Sequence, residues 1–151
     1  VVHENLIAKI NEYGPEKIDS VIKHDNDYQF DYFAWKALQE MYLLKLPTGK
    51  VIERPQHMYM RIALWVTDSY DEAIDYYKSL SEQRISKATP IMINSGTLIP
   101  QLASCVLHYN NADSRQGLLG TMNDISTYSS DAAGIGLCMS NQRSKESRIT
   151  T

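Results

Sequence analysis

Cys105 is the residue whose type and setting in this chain could carry chemistry. It lies in PQLASCVLHY (100–109), between a pair of small residues and an alternation of apolar and polar residues that predicts a β-strand. A thiol in this setting is either a buried structural group, as most isolated cysteines on strands are, or a redox-active group. The local pattern leaves both interpretations open. The second cysteine, Cys138, lies within another apolar run.

Other residue types that could carry chemistry show no diagnostic spacing. The histidines are not spaced as metal ligands, either with one another or with the cysteines, so no metal site is predicted. These histidines are His3, His24, His57 and His108. The glycines of AAGIG (132–136) precede a predicted strand instead of opening a helix, which argues against a dinucleotide-binding fingerprint.

Composition narrows the classes of protein to which the chain can belong. Its 151 residues suit one ordinary domain, and the 43% hydrophobic and 22% charged residues indicate a globular chain. The net charge of −3 argues against nucleic-acid binding through a general basic surface. No apolar run approaches the roughly 20 residues of a membrane helix, and the charged N-terminus does not resemble a signal peptide. Two cysteines are too few for a disulfide scaffold, so a reducing, cytoplasmic setting is expected.

Hydrophobic periodicity predicts a helical first half and a mixed second half. Helices are predicted over 3–13, from Pro15 to Ile22, over 28–45, from Pro55 to Val66 and over 71–86. Short strands are predicted at TPIMIN (89–94), SCVLHY (104–109) and GIGLCMS (134–140). A helix over 114–130, capped by Asp113 or Ser114, separates the last two strands. This order of elements favours an α/β fold with a helical N-terminal portion.

Three separated motifs resemble the large catalytic subunit of class I ribonucleotide reductase. They are ERPQHMYMRIAL (53–64), SKATPIMINSGTLIPQLASCVL (86–107) and AAGIGLCMSNQR (132–143). The resemblance implies a helical N-terminal region over 1–85 and, over 86–151, the first strands and a helix of a ten-stranded α/β barrel. The family's subunit is several times longer than this chain, and both ends of the chain look cut, so we expect a segment of a longer protein with an incomplete barrel.

The resemblance also implies a role for Cys105. The family replaces a ribose 2′-hydroxyl with hydrogen, and a dithiol that becomes a disulfide supplies the two electrons. Cys105 matches one of those thiols, with its partner outside this chain. Cys138 falls where the family has a small apolar residue, which favours core packing. Thr89 and Ser104 match positions that hold the substrate, a ribonucleoside diphosphate, through hydroxyl and backbone contacts.

A site for a deoxynucleoside triphosphate effector is implied in the same way. Asp113 and Ser114 match effector-binding positions, with Asp113 accepting from the sugar hydroxyl, and Arg143 matches a basic position near the phosphates. The alternatives are helix capping for Asp113 and Ser114 and a solvated charge for Arg143. The sequence departs from the family's pattern at Ser130, where some relatives have lysine, and after Arg143, where the chain lacks glycine.

For the whole protein, the resemblance implies a ribonucleoside-diphosphate reductase that uses thiyl-radical chemistry and a thioredoxin- or glutaredoxin-type reductant. No cofactor is expected within this segment, which alone should be inactive. The expected partners are a metal-containing small subunit that supplies the radical, dNTP or ATP effectors, and a second copy docking through the helix at 114–130. No nucleic-acid or membrane partner is expected. The alternative is a degenerate or split relative that serves assembly or protein interaction without redox activity.

Overall fold

The chain folds into two compact units, Val1–Leu102 and Ala103–Thr151, in a computed structural model that describes residues 2–99, 101–110 and 112–148. The first unit is helical, and the second contains a helix and two parallel strands. The division between a helical region and a barrel at 85/86 stays a prediction about the longer protein.

The helices of the first unit begin at residues whose chemistry favours a helix start. Its elements are α1 (Glu4–Tyr13), α2 (Pro15–Asp19), a 3₁₀ segment (His24–Gln29), α3 (Tyr32–Ala37), a π segment (Leu38–Tyr42), α4 (Pro55–Val66), α5 (Tyr70–Ser81) and α6 (Thr89–Asn94). Pro15 and Pro55 occupy first turns, where a missing N–H costs nothing. The Ser69 side chain accepts from the backbone of Glu72 and caps α5. The helices predicted over 3–13 and from Pro55 to Val66 are confirmed.

The continuous helix predicted over 28–45 is wrong. The Asp31 carboxylate accepts a hydrogen bond from the Ala34 amide at 2.7 Å and so starts a new helix at Tyr32. Further along, the Leu43 amide bonds to the Leu38 carbonyl, a wider turn that ends the helix in a π segment. Apolar spacing alone does not reveal these two interruptions.

The strand predicted at TPIMIN is also wrong, because residues 89–94 form helix α6. Pro90 lies in the first turn of this helix, where its fixed φ is favourable, and the Met92 amide bonds to the Ala88 carbonyl. Ile91 and Met92 pack against the apolar core. The short apolar run followed by a turn predicts a strand, but the proline and the packing decide the conformation.

Helix α4 lies at the centre of the apolar core. Every residue from Pro55 to Leu64 except His57 is buried, as expected for a helix that neighbours surround on all sides. Helix α5 packs against it through Tyr77 and Leu80. Val66, the last residue of this helix, is exposed.

A glycine turn after α6 contacts the start of the chain. The Gly96 carbonyl accepts from the His3 amide at 2.8 Å, and Val2 and Thr97 form an antiparallel bridge. Gly96 has a φ of +71°, and a Cβ built there would lie 2.5 Å from Cδ2 of Leu6. Glycine is therefore required at this turn on two counts, backbone conformation and space.

The second unit is a strand–helix–strand motif. It comprises β1 (Cys105–Tyr109), α7 (Arg115–Ser130) and β2 (Gly134–Cys138). The strands are parallel, in a register that pairs Cys105 with Gly134 and Tyr109 with Cys138. Parallel strands need a crossover connection, and α7 provides it. The strands predicted at SCVLHY and GIGLCMS are confirmed in slightly shorter form, so the described part of the chain has two of the three strands that we predicted.

None of the described helices combines the length and the apolar character that are needed to cross a lipid bilayer.

Candidate functional site

The Cys105 thiol lies at the start of β1, exposed to solvent and not bonded in a disulfide. The Ser104 hydroxyl donates a weak hydrogen bond to it, with Oγ 3.8 Å from Sγ. Across the sheet it faces Gly134, where an added Cβ would lie 3.7 Å from Sγ. Because Gly134 has no side chain, nothing from β2 covers the thiol on this side. The thiol is therefore accessible, which a redox role requires and a structural role does not.

Cys138 lies at the opposite end of the strand pair and is also a free thiol. The register separates the two cysteines by four residues, about 13 Å along the strands, which is too far for a disulfide without backbone movement. Hydrogen bonds from the hydroxyl and the backbone amide of Ser140 lower the pKa of the Cys138 thiol. Cys138 is half-buried and lies outside the apolar core of the described residues.

The two residues predicted to bind substrate lie in different units. Thr89 is the first residue of α6, exposed, and its Oγ1 lies 3.2 Å from the Tyr42 hydroxyl. Ser104 directly precedes β1, and its carbonyl accepts from the Gly134 amide at 2.8 Å. Ser104 is thus next to Cys105, whereas Thr89 belongs to the helical unit.

The residues predicted to bind an effector contact one another. Arg143 Nε donates to the Asp113 carboxylate at 2.6 Å, the Arg143 backbone amide donates to it at 3.2 Å, and the Arg143 guanidinium also donates to the Asp113 carbonyl at 2.7 Å. The Ser114 hydroxyl accepts from the Gly117 amide at 3.0 Å and caps α7. Three predicted residues therefore meet at the N-terminus of α7, where they bind each other and the helix end.

Sequence reasoning missed a buried ion pair in the first unit. Arg61 in α4 donates to Glu53 through Nε at 2.7 Å and through a terminal nitrogen at 3.0 Å, and both side chains are more than 90% buried. The same guanidinium donates to the carbonyls of Met92, Ile93 and Ser95 at the end of α6. The pair therefore connects the segment before α4 with the last turn of α6. The sequence ERPQHMYMR shows that both charged residues are present, but it does not show that they are buried.

A second polar network anchors the 3₁₀ segment. The buried Asp27 carboxylate accepts from Arg54 Nε at 2.9 Å and from the Gln56 amide at 3.2 Å. The Gln56 side-chain carbonyl accepts in turn from the hydroxyls of Tyr77 and Ser81. These bonds fix the 3₁₀ segment against α4, and α4 against α5.

Two histidines and one carboxylate converge beside this network. Asp19 at the end of α2, His24 at the start of the 3₁₀ segment and His57 in the first turn of α4 each place one potential ligand atom within 4.8 Å of the others. Burial is the main cause that lowers the pKa of His57, and the neighbouring His24 lowers it further. The histidines show no metal-ligand spacing in the sequence because His24 and His57 lie far apart along the chain.

Comparison with known proteins gives the same family over almost the whole chain. Residues 28–99 match the family model described as "Ribonucleotide reductase, all-alpha domain". The chain is 36% identical over 150 residues to a protein named ribonucleoside-diphosphate reductase large subunit from Dictyostelium discoideum, a match that covers 99% of this chain and 17% of the relative. It is 40% identical over 134 residues to the protein of that name from Arabidopsis thaliana (88% and 16%), and 39% identical over 154 residues to that from Monkeypox virus (98% and 20%). The chain thus spans a sixth to a fifth of the length of these relatives.

Proposed function

This chain belongs to the ribonucleotide reductase large-subunit family, and from that premise we propose that it is a segment of a ribonucleoside-diphosphate reductase in which Cys105 is one of the two thiols that reduce the substrate. The observation that carries the proposal is identity of 36–40% to the large subunits of such reductases over 88–99% of the chain. The exposed position of the Cys105 thiol supports its part in the proposal.

The proposed chemistry is a two-electron reduction. The 2′-hydroxyl of a ribonucleoside diphosphate leaves as water and hydrogen takes its place, while two thiols lose two electrons and two protons and form a disulfide. Cys105 supplies one thiol, and its partner lies outside this chain, because Cys138 is about 13 Å away along the strands. A thioredoxin- or glutaredoxin-type dithiol protein then reduces the disulfide. The radical that starts the reaction comes from a separate, metal-containing small subunit.

We extend the proposal to the architecture of the active site. Strands β1 and β2 are two neighbouring parallel strands of the family's ten-stranded barrel, and α7 is the crossover helix between them. Each strand has one edge without a partner among the described residues, so further strands can add on both sides. Ser104 and Thr89 bind the substrate diphosphate. The cytoplasm provides the reducing environment that keeps the thiols active.

The effector site is part of the same proposal. A deoxynucleoside triphosphate bound by Asp113, Ser114 and Arg143 shares these groups with the Arg143–Asp113 ion pair, and it uses the donors and acceptors that the pair does not occupy. Helix α7, where a Cβ added at Gly120 would meet nothing within 4 Å, supplies the face for dimerisation with a second large subunit.

Replacement of Cys105 by serine in the full-length large subunit tests the proposed function. The assay combines this subunit with its small subunit, a dithiol reductant and a ribonucleoside diphosphate, and measures formation of the deoxynucleotide. We expect Cys105→Ser to reduce turnover to background without loss of folding by circular dichroism, and the matched Cys138→Ser variant to retain it. Wild-type turnover in Cys105→Ser would exclude the proposed role and favour a non-redox role in assembly.

A further inference from the structure

We propose that Asp19, His24 and His57 form a binding site for a divalent transition-metal ion of the Zn²⁺ type, separate from the thiol chemistry of the second unit. The three side chains come from three elements, and the fold alone brings them together. Neither the comparisons nor the proposed reductase function assigns a ligand to this place in the helical unit.

The donor set determines the class of metal. Two imidazole nitrogens and one carboxylate oxygen suit Zn²⁺ and neighbouring transition metals, whereas Ca²⁺ and Mg²⁺ favour sites built from oxygen alone. Three protein ligands leave one position of a tetrahedral ion for water. The exposed Asp19 gives the ion access to solvent, while the half-buried His24 and His57 provide the more rigid side of the site.

The distances allow a common ion after a small adjustment. Two ligands at about 2.0–2.1 Å from one tetrahedral ion lie roughly 3.4 Å apart. The three donor atoms lie within 4.8 Å of one another, so a contraction on the order of 1 Å closes the site. Asp19, the exposed member at the end of α2, can supply this movement by side-chain rotation.

The surroundings hold the histidines in place and leave His24 a free nitrogen. Within the described part of the chain, Nδ1 of His24 is shielded from solvent and has no hydrogen-bond partner. The backbone beside it is fixed, because the Lys23 amide donates to the Tyr77 hydroxyl at 2.8 Å and the Asn26 side chain donates to Ser81 Oγ at 2.7 Å. The His24 and His57 rings are already in contact, with centroids 4.9 Å apart. Such outer contacts orient metal-binding imidazoles in known sites.

A cavity next to the three residues offers a route to the site. A cavity of about 340 Å³ has Asp19 and His57 on its wall, among mostly apolar side chains. An ion can thus enter the site through this cavity without disruption of the core. The apolar lining lowers the local polarity around the charged ion. Both features are typical of metal sites with an open coordination position.

The test is metal binding by the full chain, with ZnCl₂ as the probe in equilibrium dialysis and Co²⁺ as a spectroscopic substitute. We expect one equivalent of Zn²⁺ per chain and a Co²⁺ visible spectrum of the intense kind given by four-coordinate ions. His24→Gln and His57→Gln should each weaken Zn²⁺ binding at least about tenfold, which is the low end of the loss caused by disturbing a ligand shell. His108→Gln, which removes a histidine from the second unit, is the matched control and should bind as the wild type.

Asp19→Asn keeps the experiment decisive if a histidine variant unfolds. Asp19 is exposed, so its replacement should leave the circular dichroism spectrum unchanged while it weakens Zn²⁺ binding. Asp25→Asn, at another exposed carboxylate close by in the chain, should have no effect. The proposal is overturned if the chain binds no stoichiometric Zn²⁺, or if all variants bind it equally. Neither outcome depends on Cys105 or on turnover, so the reductase proposal is tested separately.

Discussion

The imidazole of His57 titrates in a setting that disfavours its charged form. Burial and the adjacent His24 lower its pKa in the folded chain below the usual 6.5. In the unfolded chain the ring regains its ordinary pKa, so below pH 6.5 the unfolded state binds more protons than the folded state. Stability is therefore fully present above this pH and declines as the pH falls through it.

We expect the free energy of unfolding to decrease as the pH is lowered from above to below 6.5, and to decrease less in His57→Gln. Urea denaturation followed by circular dichroism, with a chelator present to exclude metal, measures the free energy of unfolding of the wild type and of the variant at each pH. An identical pH dependence in His57→Gln would contradict this account.

The Cys138 thiol offers a second test at the level of one residue. Hydrogen bonds from Ser140 lower its pKa, so a larger fraction should be thiolate, the reactive form, near neutral pH. In a Cys105→Ser background, we expect Ser140→Ala to slow the alkylation of Cys138 by iodoacetamide and to shift its pH profile upward. Ser126→Ala, at an exposed hydroxyl in α7, is the control. Equal alkylation rates in the Ser140 variant and the parent would show that the bond from the Ser140 hydroxyl does not stabilise the thiolate.

At the level of elements, the Glu53–Arg61 pair determines how α4 and α6 are held together. Its side chains are 7% and 5% exposed, whereas those of the Lys36–Glu40 pair are 46% and 69% exposed. Loss of one partner of a buried pair leaves an uncompensated charge, which costs about 3–5 kcal/mol, while an exposed pair contributes about 0.2–1 kcal/mol.

We therefore expect Glu53→Ala to destabilise the chain by about 3–5 kcal/mol and Glu40→Ala by less than about 1 kcal/mol. Chemical denaturation of both variants under the same conditions measures the difference. Similar losses in the two variants would mean that water or another group compensates the Arg61 charge.

Elements also show where sequence reasoning succeeds. The helices over 3–13 and 55–66 and the strands around Val106 and Ile135 follow from apolar periodicity, because that pattern and the packing agree there. At TPIMIN the short apolar run and Pro90 give opposite signals, and at Asp31 one carboxylate interrupts a continuous apolar stripe. Such local hydrogen bonds cannot be predicted from the pattern of polar and apolar residues.

The candidate sites also differ in whether they could be predicted from the sequence. The motif around Cys105 could be recognised from the sequence, because the residues that carry the resemblance are contiguous. The cluster of Asp19, His24 and His57 could not, because its members are brought together by the packing of three elements. The contact between Asp113 and Arg143 also depends on the fold, since α7 and β2 separate the two residues along the chain.

At the level of the whole molecule, the two units differ in how much apolar surface they bury. Within the described residues, every buried apolar side chain of the core lies between Leu6 and Leu80, in the first unit. In the second unit Leu107 and Tyr109 are 81% and 63% exposed, and its sheet has only two strands in the described part of the chain. A two-stranded sheet with so little burial is marginally stable by itself.

We expect amide hydrogen exchange in this chain to be slowest in α4 and at least about tenfold faster in β1 and β2, because local stability follows buried apolar contact. Mass spectrometry of peptides from the exchanged chain measures the pattern, with the central part of α5 as an internal reference for the core. In the full-length subunit, where we propose that further strands pair with β1 and β2, the same strands should become protected. Equal protection of α4 and β1 in this chain would contradict the expectation.

Gly96 restricts how the sequence of this protein can vary. Besides the positive φ, two neighbouring side chains oppose a side chain there, because an added Cβ would lie 2.5 Å from Cδ2 of Leu6 and 3.2 Å from Cγ of Arg61. A smaller residue at position 6 would relieve only the first of these two contacts. No single compensating substitution therefore opens position 96 to another residue. Gly49 also has a positive φ, of +82°, but nothing lies within 4 Å of its added Cβ, so asparagine is acceptable there. The turn at Gly49 can therefore vary in sequence. The turn at Gly96, which connects the first residues of the chain to the end of α6, does not tolerate substitution.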